Sequence, residues 1–168
     1  PYTEADVGCR FPRRFLETIL TGARTLASEV RPAVHSVHGS DEQATLVTQL
    51  GQKMADQQPS ATLLMAGRGR GKSSALGLAL SALETFERVV VTAASEDACR
   101  EIYKFAGQRD STRETPAFMS PDALVDYQGT FDIIVVDEAA QIRVDTLKKI
   151  ALRFSDARMI FSTTVHGY

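Results

Sequence analysis

The chain has 168 residues, 43% of them hydrophobic and 24% charged, with a formal net charge of −2. That length supports one domain with a substantial core, and the composition excludes a disordered, collagen-like or disulfide-stapled chain. The near-neutral balance excludes a globally basic surface drawn to nucleic acid or to an anionic membrane, and no run approaches the ~18 apolar residues that span a bilayer.

From the amino terminus, Phe15, Leu16, Ile19, Leu20, Ala23 and Leu26 recur at helical spacing after Pro12. Residues 31–39, with Pro32 and Gly39, read as a linker, so 1–39 is expected to be a helical segment closing a preceding domain. Ser40-Asp41-Glu42-Gln43 reads as a capping box. It opens a helix with Ala44, Val47, Leu50 and Met54 on one face, and Pro59 marks its end.

From Thr62 onward, strands alternate with helices. Residues 62–66 are a short apolar run, followed by a glycine-rich turn and a helix over 73–84. The β-branched run 88–92 suits a buried strand. Ser95 is placed to cap the next helix, with Ala98, Ile102 and Phe105 on one side and Cys99 packed as a small apolar residue. Ala117-Phe118-Met119 reads as a short strand, and Pro121 suits the first position of a small helix. Residues 131–136 form the most hydrophobic strand. Leu147, Ile150, Ala151 and Phe154 then give a helix, and 158–162 a last strand. The alternation predicts an α/β fold in three layers, a parallel sheet covered on both faces with ligands at the carboxyl ends of its strands. Residues 40–168 make up that domain. The sequence starts at Pro1 and stops just after Gly167 and Tyr168, so it is expected to be cut from a longer protein and the domain to be truncated at its carboxyl end.

Ala66-Gly67-Arg68-Gly69-Arg70-Gly71-Lys72-Ser73 holds the G-K-S core of a phosphate-binding (Walker A) loop, set between an expected strand and an expected helix. Gly67, Gly69 and Gly71 permit backbone conformations that turn successive amides toward phosphate oxygens, and the helix adds the positive end of its dipole. Lys72 reaches the β- and γ-phosphates, and Ser73 ligates magnesium. Ala66 stands where the motif has glycine, a small residue at a strand end with a modest expected effect. Arg68 and Arg70 either add charge beside nucleotide or RNA or stay solvated.

Ile133-Ile134-Val135-Val136-Asp137-Glu138 is an apolar strand ending in two carboxylates, a Walker B pattern. Asp137 is expected to hold magnesium and Glu138 to position the attacking water. Taken alone, an acidic pair equally suits a helix start. Ser162-Thr163-Thr164 lies at the same edge of the sheet, where the hydroxyls either sense the γ-phosphate or couple hydrolysis to motion, with Thr163 and Thr164 as the expected sensors, or merely cap the strand. His35 and His38 lack a third metal ligand, and His166 reads as a surface residue. Cys9 and Cys99 have no metal or redox spacing, which suits a reduced, cytoplasmic setting, and the amino terminus has no signal pattern.

Together these motifs resemble the tRNA(Met) cytidine acetyltransferase family. The glycine loop and its continuation Ser74-Ala75-Leu76-Gly77 are similar to that family's loop. Val136-Asp137-Glu138-Ala139-Ala140 resembles its Walker B segment, and Ser162-Thr163-Thr164-Val165-His166-Gly167-Tyr168 the start of a further signature. Gln43 resembles the adenine-reading glutamine of RecD-like helicases, to which this ATPase module is similar. The resemblance covers roughly 40–168. It implies a RecA-like helicase lobe that binds ATP or GTP with magnesium, with Gln43, the loop and Ser74 on the nucleotide. In the parent enzyme it implies acetyl-CoA as acetyl donor and N4 of the wobble cytidine of elongator tRNA(Met) as acceptor. The acetyltransferase domain, the tRNA-binding tail and the second helicase lobe lie downstream in that family, so this segment is not itself expected to acetylate RNA. Two other readings stand at this point: the first motor lobe of a RecD-like helicase, and a nucleotide-binding scaffold without turnover. Nothing in the sequence calls for a membrane or an obligate oligomer.

Overall fold

Residues 89–92 and 133–136 are apolar at almost every position, without the alternation of a half-exposed strand, and the structure buries both runs along their whole length. Continuous burial of this kind needs a covering layer on each face of the sheet. The structure, a computed structural model, describes residues 40–107 and 115–164. The expectations for 1–39, for His166 and for the last four residues lie outside them, as do the side chains of Ser40, Asp41 and Glu42 and hence the capping box.

The elements run α1 (Ser40–Ala55), β1 (Ser60–Ala66), α2 (Lys72–Ser81), β2 (Val89–Thr92), a 3-10 turn (Glu96–Cys99), α3 (Arg100–Ala106), β3 (Ala117–Phe118), α4 (Pro121–Asp126), β4 (Ile133–Val136), a second 3-10 turn (Ala139–Gln141), α5 (Val144–Arg153) and β5 (Arg158–Thr164). Five strands form one sheet in the order β1-β5-β4-β2-β3, and every pairing is parallel. The three-layer α/β architecture is the one expected, consistent with a RecA-like helicase domain. Among the described residues no helix is long and apolar enough to cross a membrane.

The period of two along each strand sorts the core into two clusters. Leu64, Val91, Val135 and Ile160 pack with Leu46, Leu50 and Met54 of α1, Leu76 and Leu80 of α2, and Ile102 of α3. Leu63, Met65, Val90, Ile134, Val136 and Phe161 face the other way, onto Leu124 of α4 and Leu147, Ile150 and Ala151 of α5. The expected face of α5 is therefore the buried one. In α1 the phase differs: Leu46 is buried and Ala44 exposed, because the larger side chain reaches the sheet. A similar offset affects the segment after β2. Ser95 stands at the start of a 3-10 turn with no side-chain cap hydrogen bond, and the tighter turn buries Cys99 while exposing Ala98. Cys99 packs in the α1–α3 cluster as expected, and burial, followed by the charges of Asp137 and Glu96, pushes its thiol up to about 12. Pro121 opens α4 behind Ser120, whose hydroxyl accepts the Ala123 N–H at 3.3 Å. The last strand runs two residues beyond its expected end, to Thr164.

Arg158 opens β5 and fastens α1 to it. Its Nη1 donates to the carbonyls of Met54 at 2.6 Å and Asp56 at 2.5 Å, at the carboxyl end of α1, while Nε donates to the Asp132 carbonyl at 3.1 Å. Gly77 sets the contact between α2 and α3: a β-carbon there would overlap the Ile102 carbonyl oxygen and lie 2.7 Å from Phe105 Cβ. Alanine normally favours a helix over glycine by about 1 kcal/mol. Here the obstacle is backbone, which cannot swing aside, and overpacking costs about 1–3 kcal/mol. Gly77→Ala is therefore expected to lower stability in chemical denaturation despite its better helix propensity.

Candidate active site

The order of the strands builds the site. β5 lies between β1, which leads into the glycine loop, and β4, which leads into Asp137 and Glu138. Its register sets Thr164 against Ala66, the last residue of β1, and Phe161 against Val136, the last residue of β4. The hydroxyls that follow Phe161 thus fall between the glycine loop and the acidic pair.

Gly69 and Gly71 occupy the left-handed region, at φ 73° and 74°, where glycine carries no β-carbon penalty. The loop closes with the Arg70 N–H on the Gly67 carbonyl at 3.4 Å, and Gly71 caps α2 by accepting the Ala75 N–H at 2.9 Å. The first turn of α2 carries no acidic residue of its own, and the positive end of its dipole suits an anion. Arg68 and Arg70 are exposed, the stem of Arg70 lies over Gly67, and Ser74 is half-buried beside Ser73. Ala66, the departure from the motif, is a buried strand end. Gln43 reaches the loop from α1: its Nε2 lies 3.0 Å from where a β-carbon on Gly71 would stand.

Lys72 is only 6% exposed, a degree of burial that lysine tolerates when it is paired. Its Nζ donates to Thr164 Oγ1 at 2.9 Å and lies 3.4 Å from Glu138 Oε1. Glu138 is the only described non-glycine residue at positive φ, 45°. Its carboxylate is held in return by Thr164, which donates to Oε2 from its backbone N–H at 3.1 Å and to Oε1 from its hydroxyl. Lysine, threonine and glutamate thereby form one connected group across the end of the sheet.

Asp137 is buried. Its N–H donates to the Thr92 carbonyl at 2.9 Å, its Oδ2 accepts the Ser73 hydroxyl at 3.0 Å, and its Oδ1 accepts the Ser162 hydroxyl. Burial pushes its carboxyl above the ordinary range, opposed by the hydrogen bonds from Ser162 and Ser73. A nearby cation would favour the ionised form. Among the described residues no group of three or more His, Cys, Asp or Glu is assembled for a metal. What stands ready is a hydroxyl beside a carboxylate, hard oxygen donors that fit magnesium, an ion commonly held by one or two protein ligands together with substrate phosphates.

Of the residues expected at the site, Gln43, Gly67, Gly71, Lys72, Ser73, Asp137, Glu138 and Thr164 converge here. Thr163 does not join them. It pairs with Met65, and the period of two turns it to the α5 side, away from Lys72. Ser162, expected only as one of three hydroxyls beside the γ-phosphate, instead lies buried between Asp137 and the backbone of Glu138, a role that sequence reasoning did not assign. The available signal was its place one position past the residue that pairs with the end of β4.

Comparison with known proteins gives the family. Residues 63–168, more than half of the chain, match the family described as RNA cytidine acetyltransferase NAT10/TcmA, helicase domain. The chain is similar to the tRNA(Met) cytidine acetyltransferase TmcA of Vibrio cholerae, at 36% identity over 119 residues, 63% of this chain and 16% of that protein. Its similarity to the protein of the same name from Citrobacter koseri is 38% over 110 residues, 66% of this chain and 15% of the relative. For Salmonella typhimurium the values are 35% over 127 residues, 76% and 17%. The chain thus belongs to the NAT10/TcmA helicase-domain family, and it spans about a sixth of the length of these curated relatives.

The loop geometry makes Gly71 sensitive to any side chain. A left-handed residue with a β-carbon costs about 1–2 kcal/mol, and here that carbon would also press on Gln43. Gly71→Ala is expected to lose about that much stability in urea denaturation, whereas Gly51→Ala, on α1 with open space around it, is expected to gain a few tenths of a kcal/mol up to about 1.

Proposed function

We propose that this chain is the nucleoside-triphosphate-hydrolysing, helicase-like module of a cytoplasmic enzyme that forms N4-acetylcytidine at the wobble position of elongator tRNA(Met). The observation that carries the reading is the convergence of Lys72, Ser73, Asp137, Glu138 and Thr164 at one end of the sheet. It occurs in a chain whose relatives are named tRNA(Met) cytidine acetyltransferases. In this reading the parent protein supplies the acetyl-CoA and tRNA sites, and the present chain supplies ATP or GTP hydrolysis.

The amides of 67–73 and the start of α2 hold the phosphates, with Ser74 beside them and Arg68 and Arg70 adding positive charge at the rim. Lys72 moves its charge from Glu138 to the β- and γ-phosphates. Ser73 and Asp137 hold magnesium, which supplies charge neutralisation on those phosphates. Glu138 orients the water that attacks the γ-phosphorus and accepts hydrogen bonding from it. Thr164, bonded to both Lys72 and Glu138, reports whether a γ-phosphate is present, and Thr163 supports that strand end from the opposite face. Gln43, poised beside Gly71, reads the edge of the base. Placement and charge account for most of the rate in phosphoryl transfer, so a preformed arrangement of this kind suits the reaction.

Two measurements test the reading. With magnesium and a non-hydrolysable ATP analogue at about 100 times its dissociation constant, binding adds about 2.7 kcal/mol, a rise in Tm of roughly 5–10 °C for a chain of this size. The rise is expected in the wild type and absent in Lys72→Ala; no rise in either would overturn the nucleotide site. Glu138→Gln is expected to keep analogue affinity while lowering phosphate release by about a hundredfold or more. Analogue binding with no phosphate release above background in wild type or Glu138→Gln would leave a binding scaffold without turnover, and equal release above background would overturn the role given to Glu138. In the parent-length protein, Lys72→Ala is expected to abolish N4-acetylcytidine formation in tRNA(Met).

A further inference from the structure

Ser162 is among the most enclosed polar side chains of the site, 0% exposed. It follows Phe161, which pairs with Val136, so β5 sets it beside Asp137 where β4 gives way to the turn. Its single hydroxyl serves two groups at once. The O–H donates to Asp137 Oδ1, and the oxygen accepts the N–H of Glu138 at 3.1 Å. A serine hydroxyl has one donor and two acceptor lone pairs, so both contacts are met without competition. The other oxygen of Asp137, Oδ2, faces Ser73.

The contact to Glu138 matters because of the backbone there. Glu138 sits at φ 45°, ψ 51°, in the left-handed region that disfavours a residue with a β-carbon. Something must over-determine that conformation for it to persist. The hydrogen bond from the Glu138 N–H to Ser162 holds the turn on its backbone side, and the Thr164 hydrogen bonds to the carboxylate hold its far end.

We propose that Ser162 is a positioning residue that sets the two acidic groups as one unit: it aims the Asp137 carboxylate at the Ser73 hydroxyl and locks the turn from which Glu138 reaches Thr164 and Lys72. Ser162 does not itself touch nucleotide. The inference rests on the nucleotide reading above and adds to it the device that orients the metal-binding and water-orienting carboxylates together. A purely structural serine, by contrast, would affect stability and leave the response to magnesium unchanged.

The test uses the 168-residue chain and a fluorescent non-hydrolysable ATP analogue, with Kd measured in magnesium and in EDTA, together with hydrogen exchange at the Glu138 amide. For the wild type, magnesium is expected to tighten binding. In Ser162→Ala, Kd in EDTA is expected to stay within about twofold, while the tightening by magnesium falls about tenfold and Glu138 amide exchange speeds up about tenfold or more, as befits a lost bond to a charged partner. Ser162→Cys keeps a weak donor and acceptor in nearly the same volume and is expected to fall between the two; it carries the test if the alanine variant does not fold. A wild-type response to magnesium in whichever variant folds overturns the positioning role and leaves the nucleotide site standing. A wild-type chain that binds no analogue overturns the nucleotide site and the positioning role together.

Discussion

The ammonium of Lys72, brought to 6% exposure at the start of α2, is the constraint around which the end of the sheet is arranged. A buried lysine without a partner loses hydration it cannot recover, so the fold must bring an acceptor to it. Thr164 does so from the end of β5 and Glu138 from the turn after β4. That convergence is possible only because β5 runs between β1 and β4. With β5 at an edge of the sheet, the hydroxyl of Thr164 would have no path to both the glycine loop and the acidic pair. The strand order, the register and the ion pair are therefore one requirement seen at three scales.

The local parts of this arrangement are legible in the sequence because their chemistry is contiguous. A glycine loop followed by Lys72 and Ser73 announces itself within eight residues, and the apolar run before Asp137 and Glu138 does so within six. Positions that depend on phase or on pairing are less legible. Ala44 and Ala98 fit a helical stripe as well as Leu46 and Cys99 do, and only volume and the tighter turn before α3 decide which are buried. Thr163 and Thr164 are equivalent as letters; the register against Met65 and Ala66 separates them by face. Ser162 is the extreme case, since its partners lie about two dozen positions away and are reached only once β4 and β5 pair. Gln43 is suggested only by resemblance, and its approach to Gly71 depends on α1 packing beside α2, where Leu46 and Leu50 share a cluster with Leu76 and Leu80.

The same network explains why a strained residue is retained at the hinge between β4 and the following turn. Glycine would relax the left-handed backbone at Glu138 but would remove the carboxylate, and with it the counter-charge of Lys72. The strain is local and modest, whereas an unpaired buried ammonium is costly, so the balance favours glutamate. Hydrogen bonds at opposite ends of that residue, its N–H to Ser162 and its carboxylate from Thr164, are both made in the left-handed turn.

Such a closed set of bonds has a consequence for the proposed chemistry. The side chains in it are satisfied by one another, so a nucleotide drawn to the loop and the start of α2 would engage Lys72 and Glu138 by exchange of partners. Under the proposed function a γ-phosphate would present to Lys72 the same kind of acceptor that Glu138 presents now, and the released carboxylate would keep the two Thr164 bonds that aim it. A cation between Ser73 and Asp137 would likewise replace a hydrogen bond that already draws those oxygens to 3.0 Å. Because the donors are oriented beforehand, little reorganisation remains for the reaction itself, and low reorganisation is the main source of electrostatic catalysis in a water-poor site. Mutual satisfaction of Lys72, Thr164 and Glu138 thus serves folding in the absence of phosphate and, under the proposed function, becomes the arrangement that phosphate inherits.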